Sequence, residues 1–160
     1  MNDFAIVAEG VTDQVVLRRI LLTFYKDQGI EPAIVFEQPR VDATGERLWQ
    51  GYGTWLNVVR YLKEKLYKDA FQLNRYLVVQ IDTDCSEEIG YEVAQSEQGQ
   101  PFGVLEMIRR VVVRLEELIG TEDCKEYAGR FLFAVCVREL ECWLLPLWTT
   151  EDKNRRSPVV

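Results

Sequence analysis

Acidic side chains directly follow three apolar runs of this sequence. Glu9 follows "FAIVA", Asp82 and Asp84 follow "YLVVQI", and Glu139 and Glu141 follow "FLFAVCVR" with a leucine between them. Residues two apart on an extended chain point to the same side, about 7 Å apart. Asp82 and Asp84 are therefore spaced to share one cation or to flank two, which makes divalent-metal binding the first chemistry to consider.

The remaining composition narrows the choice of metal. The 160 residues contain no histidine, and the four cysteines form no CxxC pair. Imidazole bases and Ser-His or Cys-His nucleophiles are thereby excluded, and a zinc site would need cysteines from scattered positions. Carboxylates favour magnesium, manganese or calcium. We expect Mg²⁺ or Mn²⁺, as two ions, because paired metals stabilise the attacking and leaving oxygens of phosphoryl transfer.

The elements that must position these acids alternate along the chain. Short apolar runs predict four strands, at residues 4–8, 33–36, 76–81 and 131–137. Apolar residues at helical spacing predict a first helix that ends near Gly29 and further helices over residues 55–66, 104–118 and 140–147. This order predicts an α/β fold, with a central mostly parallel four-stranded sheet flanked by helices. Since ligands bind beyond the carboxyl ends of parallel strands, the acids should meet at one edge of the sheet.

The length predicts one domain, over residues 1–148, followed by a polar tail at 149–160 whose abruptness suggests a truncated chain. The polar segments 37–53 and 86–101 are interpreted as a long loop and as an irregular, lid-like stretch. A net charge of −7 argues against a broad basic nucleic-acid surface. We expect a cytoplasmic protein with reduced thiols and no membrane association, since no apolar run is long enough for a span.

Two of the acidic segments resemble a known family. "AEGVTD" after the first strand and "IDTD" after the third resemble the two signature motifs of the Toprim domain, the metal-binding catalytic module of topoisomerases, primases and OLD-family nucleases. The form Glu-Gly-x-Thr-Asp is most similar to OLD-type nucleases and to small stand-alone Toprim proteins of prokaryotic defence loci. "RELECWLL" resembles the third acidic segment of those small proteins. The resemblance implies a Rossmann-like Toprim fold.

It also implies roles for the acids. Glu9 would be a metal ligand and the general acid or base, and Asp82 and Asp84 would be metal ligands. Asp13 would help to bind a second ion, although an acid in a first helical turn also stabilises the helix dipole. The remaining ligand would be one of two glutamates, and the choice stays open; they are Glu139 and Glu141.

Two further residues and the partners complete these expectations. Gly10 would bend the backbone behind Glu9 or allow a substrate to approach, and Arg138 is the cation best placed by sequence to act in catalysis. The catalytic lysine of such nucleases is not identified. The implied function is a metal-dependent nuclease acting on nucleic acid, DNA ahead of RNA, in phage defence, with a separately encoded ATPase or other subunit as partner.

Two other functions stay open. One is a non-catalytic metal- or nucleotide-binding subunit of a larger complex, which the negative net charge and the unidentified lysine favour. The other is a magnesium-dependent phosphatase on a Rossmann-like sheet, although those enzymes commonly place Asp-x-Asp after the first strand and here it follows the third.

Overall fold

The computed structural model describes residues 1–39, 54–140 and Cys142. Strands and helices alternate through these ranges, with one small hairpin inserted between the third strand and the following helix. The elements are β1 (Asn2–Val7), α1 (Val11–Lys26), β2 (Ile34–Gln38), α2 (Trp55–Lys63), α3 (Tyr67–Leu73), β3 (Asn74–Asp82), β4 (Ser96–Glu97), β5 (Gln100–Pro101), α4 (Val104–Ile119), α5 (Thr121–Glu126) and β6 (Phe131–Cys136).

Four strands form the central sheet in the order β2-β1-β3-β6, and every neighbouring pair is parallel. The predicted α/β class is confirmed, and the sheet that was expected to be mostly parallel is entirely so. Val7 pairs with Val79, and Asp82 pairs with Cys136. This register brings the carboxyl ends of β1, β3 and β6 to the same edge.

Alternation along β1 and β3 sends side chains to two different cores. Val7, Val79 and Ile81 pack on one face against α2, α3 and α4. Ile6 and Val78 pack on the other face, which α1 covers through Leu17 and its neighbours. Both central strands are buried on both faces, which explains why their sequences are nearly continuous apolar runs.

The best-predicted helix is α4. Met107, Val111, Leu115 and Ile119 recur every fourth residue and are all buried, so one stripe of the helix faces the sheet. Gly120 follows with φ of 92°, a value that favours glycine, and the helix ends within one residue of the predicted bound at 118.

Two short helices and a hairpin were not predicted. The helix expected over 55–66 ends at Lys63 and is followed by α3, and α5 precedes β6. α3 and α5 are joined by Asp123, whose carboxylate accepts hydrogen bonds from Lys65 Nζ and Tyr67 Oη, at 2.7 and 2.6 Å. Lys68 Nζ lies 2.8 Å from the same carboxylate. The ring of Tyr67 packs edge-on against Phe131, at the start of β6.

Parts of the predicted organisation lie outside the described residues: most of the loop at 37–53, most of the helix at 140–147 and the tail at 149–160. The boundary at residue 148 stays a prediction. Among the described helices, none is both long and apolar enough to cross a bilayer.

The buried hydroxyl of Tyr67 should contribute measurably to stability. Tyr67→Phe removes its bonds to Asp123 and to the carbonyl of Ile119 (3.2 Å), and should lower the free energy of unfolding by about 1–2 kcal/mol. Urea denaturation measures this change. Tyr76→Phe, at a partly exposed ring, should change it by less than about 0.5 kcal/mol; equal effects would show that the Tyr67 hydroxyl has no special role.

Candidate functional site

The candidate site begins with a hydrogen bond between the ends of β1 and β3. Glu9 lies two residues beyond the last residue of β1, and its Oε1 accepts a hydrogen bond of 2.7 Å from the backbone N–H of Asp82. The backbone N–H of Glu9 donates in turn to Oε1 of Gln80, at 3.1 Å. The first predicted acid is thus fixed directly against the strand that carries the second.

The side chain of Gln80 bonds to both Glu9 and Asp82. It is fully buried, and its Nε2 donates to Oδ1 of Asp82 at 2.8 Å while its Oε1 accepts from Glu9. The same Nε2 lies 4.0 Å from the sulfur of Cys136. Burial raises the pKa of the Cys136 thiol to about 12, so this thiol is neutral beside the carboxylate of Asp82.

Asp13 joins the site from the first turn of α1. Its Oδ2 accepts a hydrogen bond of 2.7 Å from the backbone N–H of Gly10, the residue before the helix, and the side chain is buried. This is the helix-terminus role that an acid at this position favours. Asp13 also lies close enough to Glu9 for its charge to raise the pKa of that residue, so the helix role and a site role coexist.

The structure gives a different reason why position 10 is a glycine. The chain bends at Glu9 and Gly10 as expected. The φ of −129° and ψ of 167° at Gly10 are extended backbone that any residue adopts, so this bend does not require glycine. Instead, a Cβ atom at this position would lie 3.0 Å from Oδ2 of Asp13. Glycine therefore leaves room for the carboxylate of Asp13, and its role in binding a cofactor or substrate stays a prediction.

The electrostatics of the cluster converge on Glu9. Desolvation by burial is the largest cause that raises the pKa of Glu9 to about 8, and the hydrogen bond from the Asp82 N–H opposes it. The charges of Asp82, Asp84 and Asp13 raise it further. Four of the predicted acids are therefore close enough to interact, and near neutral pH Glu9 retains a proton.

Asp84 is exposed and opens the loop after β3. Its Oδ1 accepts from the backbone N–H of Cys85 at 2.8 Å. The loop is anchored at two points: the hydroxyl of Tyr91 donates to the carbonyl of Asp82 at 2.9 Å, and Gln95 Nε2 donates to the carbonyl of Asp84 at 3.0 Å. Tyr91 is fully buried, so the segment interpreted as lid-like is tied to the core over this part.

The third acidic segment is positioned differently. Arg138 contributes its backbone, since its N–H donates to Oγ1 of Thr83 at 2.8 Å and its carbonyl accepts from the N–H of Thr83 at 2.9 Å. The side chains of Arg138 and Glu139 are exposed. Roles for both side chains stay predictions, and Glu141 lies outside the described residues.

Lys65 and Lys68, at and just beyond the end of the predicted second helix, do not reach this edge. Lys65 and Lys68 pair with Asp123, which is bonded to the Tyr67 that packs on the first residue of β6. That residue lies at the opposite end of the sheet from Asp82. Neither lysine is therefore placed to approach a phosphate at the carboxylate cluster.

A metal ion would need side chains to reorient. Among residues 1–39, 54–140 and 142, no three or more metal-ligating side chains are already grouped around a common centre. The reason is visible in the hydrogen bonds, because Glu9, Asp13 and Asp82 each direct an oxygen to a backbone N–H or side-chain amide. The donor set still fits a hard divalent cation, since it consists of carboxylate oxygens whose mutual repulsion a cation would relieve.

Sequence reasoning missed the residues that hold the acids in place. Gln80, Thr83, Tyr91 and Gln95 donate or accept the bonds described above. Gln80 offered a signal, because it is a polar residue inside the apolar run "YLVVQI" and a buried amide needs partners.

The space beside Gly10 can be tested directly. Gly10→Ala should lower the free energy of unfolding by about 1–3 kcal/mol, because the added methyl crowds the carboxylate of Asp13. Gly103→Ala is the control, since Gly103 also precedes a helix but has nothing within 4 Å of an added Cβ. Equal losses in thermal denaturation would contradict a packing role for Gly10.

The protonation of Glu9 gives a stability prediction without metal. The folded protein binds this proton more tightly than the unfolded chain, so the native state is favoured at low pH. In EDTA, the free energy of unfolding should fall as pH rises from about 4.5 to 8, by at most about 5 kcal/mol. Glu9→Gln should flatten this decline in urea titrations at several pH values, whereas the exposed Glu31→Gln should leave it unchanged.

Comparison of the chain with protein-family models, with curated proteins and with solved structures finds no match.

Proposed function

We propose that this protein is a divalent-metal-dependent nuclease that hydrolyses phosphodiester bonds in nucleic acid, with DNA as the first substrate. The observation that carries the proposal is the contact between Glu9 and Asp82. It holds two carboxylates at the carboxyl edge of a parallel sheet, where burial and neighbouring acids raise the pKa of Glu9 to about 8. Such an arrangement gains from a bound cation.

Each residue of the cluster has a part. Asp82 and Asp84 would hold Mg²⁺ or Mn²⁺ together with Glu9, and Asp13 would serve a second ion. A bound ion supplies charge neutralisation at the phosphate and activation of water. Glu9 would be the general acid or base, because in the metal-free protein its raised pKa of about 8 lies within about one unit of neutral pH. Through its hydrogen bonds to both residues, Gln80 would keep Glu9 and Asp82 in position when Glu9 gains or loses its proton.

The biological setting is also proposed. The resemblance of "AEGVTD" and "IDTD" to Toprim motifs supports a role in prokaryotic antiviral defence alongside a separately encoded ATPase or other subunit. A cytoplasmic location is supported by the four cysteines, which are all free thiols.

The second candidate is a non-catalytic subunit that binds metal or nucleotide. It is favoured by the fact that, over the part of the chain that is described, the acids are not already grouped around a metal. It predicts that the protein binds metal without cleaving nucleic acid, so a cleavage assay and a metal-binding assay together distinguish the two functions.

The test combines cleavage with metal binding. We expect the wild type to nick plasmid or degrade single-stranded DNA in Mg²⁺ or Mn²⁺. Asp82→Asn and Asp84→Asn should each reduce the rate by at least about 100-fold, because changes that only support a metal ligand already cost about 10–100-fold. Both substitutions keep side-chain volume, and Asp84 is exposed, so loss of folding does not confuse its result.

Glu122→Gln serves as the control, because Glu122 is an exposed acid on α5, away from the cluster. Equal cleavage by the wild type and an Asp82→Asn/Asp84→Asn double variant would contradict the nuclease proposal. Calorimetric binding of Mn²⁺ that the double substitution abolishes, without turnover on any nucleic acid, would instead support the binding subunit.

A further inference from the structure

A groove of about 400 Å³ lies between α4 and the loop that follows Asp84. Its helix wall carries Arg109, Arg110 and Arg114, and its loop wall is formed by residues 92–94. Its volume lies within the range of small-ligand pockets. Glu92 and Glu117 also line the groove and pair with Arg114, so its uncompensated positive charge lies at the end that carries Arg109 and Arg110.

Two of these arginines are held in place and keep donors to offer. Glu106 accepts hydrogen bonds from Nε of Arg109 and Nε of Arg110, at 2.9 and 2.7 Å. The guanidinium of Arg110 stacks on the ring of Phe102, 3.9 Å from its centre. Among the described residues, both terminal nitrogens of Arg110 and Nη1 of Arg109 make no hydrogen bond. Since the two arginines share one glutamate, this end of the groove retains one positive charge.

The third arginine links the groove to the carboxylates. Arg114 Nε donates to the carbonyl of Tyr91 at 2.9 Å, and its terminal nitrogens pair with Glu92 and Glu117. The hydroxyl of Tyr91 donates to the carbonyl of Asp82. The loop wall of the groove is therefore fixed on one side by α4 and on the other by the strand that carries the candidate metal ligands.

We propose that this arginine groove binds a backbone phosphate of the nucleic-acid strand whose scissile phosphodiester lies at the carboxylate cluster. The inference rests on the proposed function and adds to it where the substrate is held. Arginine presents a planar fork of donors that matches phosphate oxygens. The cluster itself repels a polyanion, so a neighbouring cationic contact is what allows the strand to approach it.

The test uses the full chain and measures binding separately from cleavage. Arg109→Gln/Arg110→Gln should weaken binding of fluorescein-labelled single-stranded DNA at least about tenfold at low salt, measured by anisotropy in EDTA. The slope of log affinity against log salt should become shallower by about 1–2, because two phosphate contacts are lost. Arg110→Lys, which keeps charge but not the fork, should fall between the wild type and the double variant.

Arg75→Gln/Lys125→Gln is the matched control, because it removes the same charge from two exposed positions outside the groove. Equally weakened DNA binding in both double variants, or unchanged DNA affinity in the groove variant, overturns the proposal that the groove binds the strand. So does groove-dependent binding of a nucleoside triphosphate without binding of the DNA strand, which would indicate a free nucleotide.

Hydrolysis is scored independently with bis-p-nitrophenyl phosphate, a phosphodiester too small to reach both places. The groove variant should hydrolyse it as fast as the wild type, and a matching loss there overturns a role in holding the strand. Groove-dependent DNA binding without hydrolysis of any substrate by the wild type supports the groove and contradicts the nuclease proposal alone.

Discussion

The hydrogen bond from the Asp82 N–H to the carboxylate of Glu9 is the constraint on which the rest of the site depends. Two parallel neighbouring strands end at the same edge, and this bond closes the gap between their ends. It brings a carboxylate into a half-buried position beside Asp82 and Asp84, a placement that costs free energy if all three are charged. Backbone N–H groups that donate to Glu9 and Asp13, and a proton retained on Glu9, reduce this electrostatic cost.

Gln80 makes this arrangement compatible with a buried sheet. A polar residue in the middle of a central strand is unfavourable unless both ends of its amide are bonded. Here Oε1 accepts from Glu9 and Nε2 donates to Asp82, so the core and the site share one satisfied polar group. The same logic explains Gly10, since the absence of a side chain there lets Asp13 approach the helix terminus without a clash.

The sequence was sufficient for the central sheet and the long helices, because their burial imposes regular patterns. Both faces of β3 are covered, and "YLVVQI" is accordingly almost wholly apolar; the buried stripe of α4 repeats every fourth residue. α3 and α5 could not be predicted this way. They are seven and six residues long, too short to show a period, and they are joined by Asp123, an ion-pair centre that no local pattern reveals.

At the site, residue type and strand position were enough to gather Glu9, Asp13, Asp82 and Asp84, because parallel strands align their ends. Side-chain direction was not predictable, since it depends on partners distant in sequence. Tyr91 shows why: its hydroxyl bonds the carbonyl of Asp82, while its own carbonyl accepts from Arg114 on α4. Displacement of Tyr91 would break both hydrogen bonds, and the one to Asp82 is buried. Through Tyr91, the segment after Asp84 therefore links the strand that carries Asp82 to Arg114 of α4.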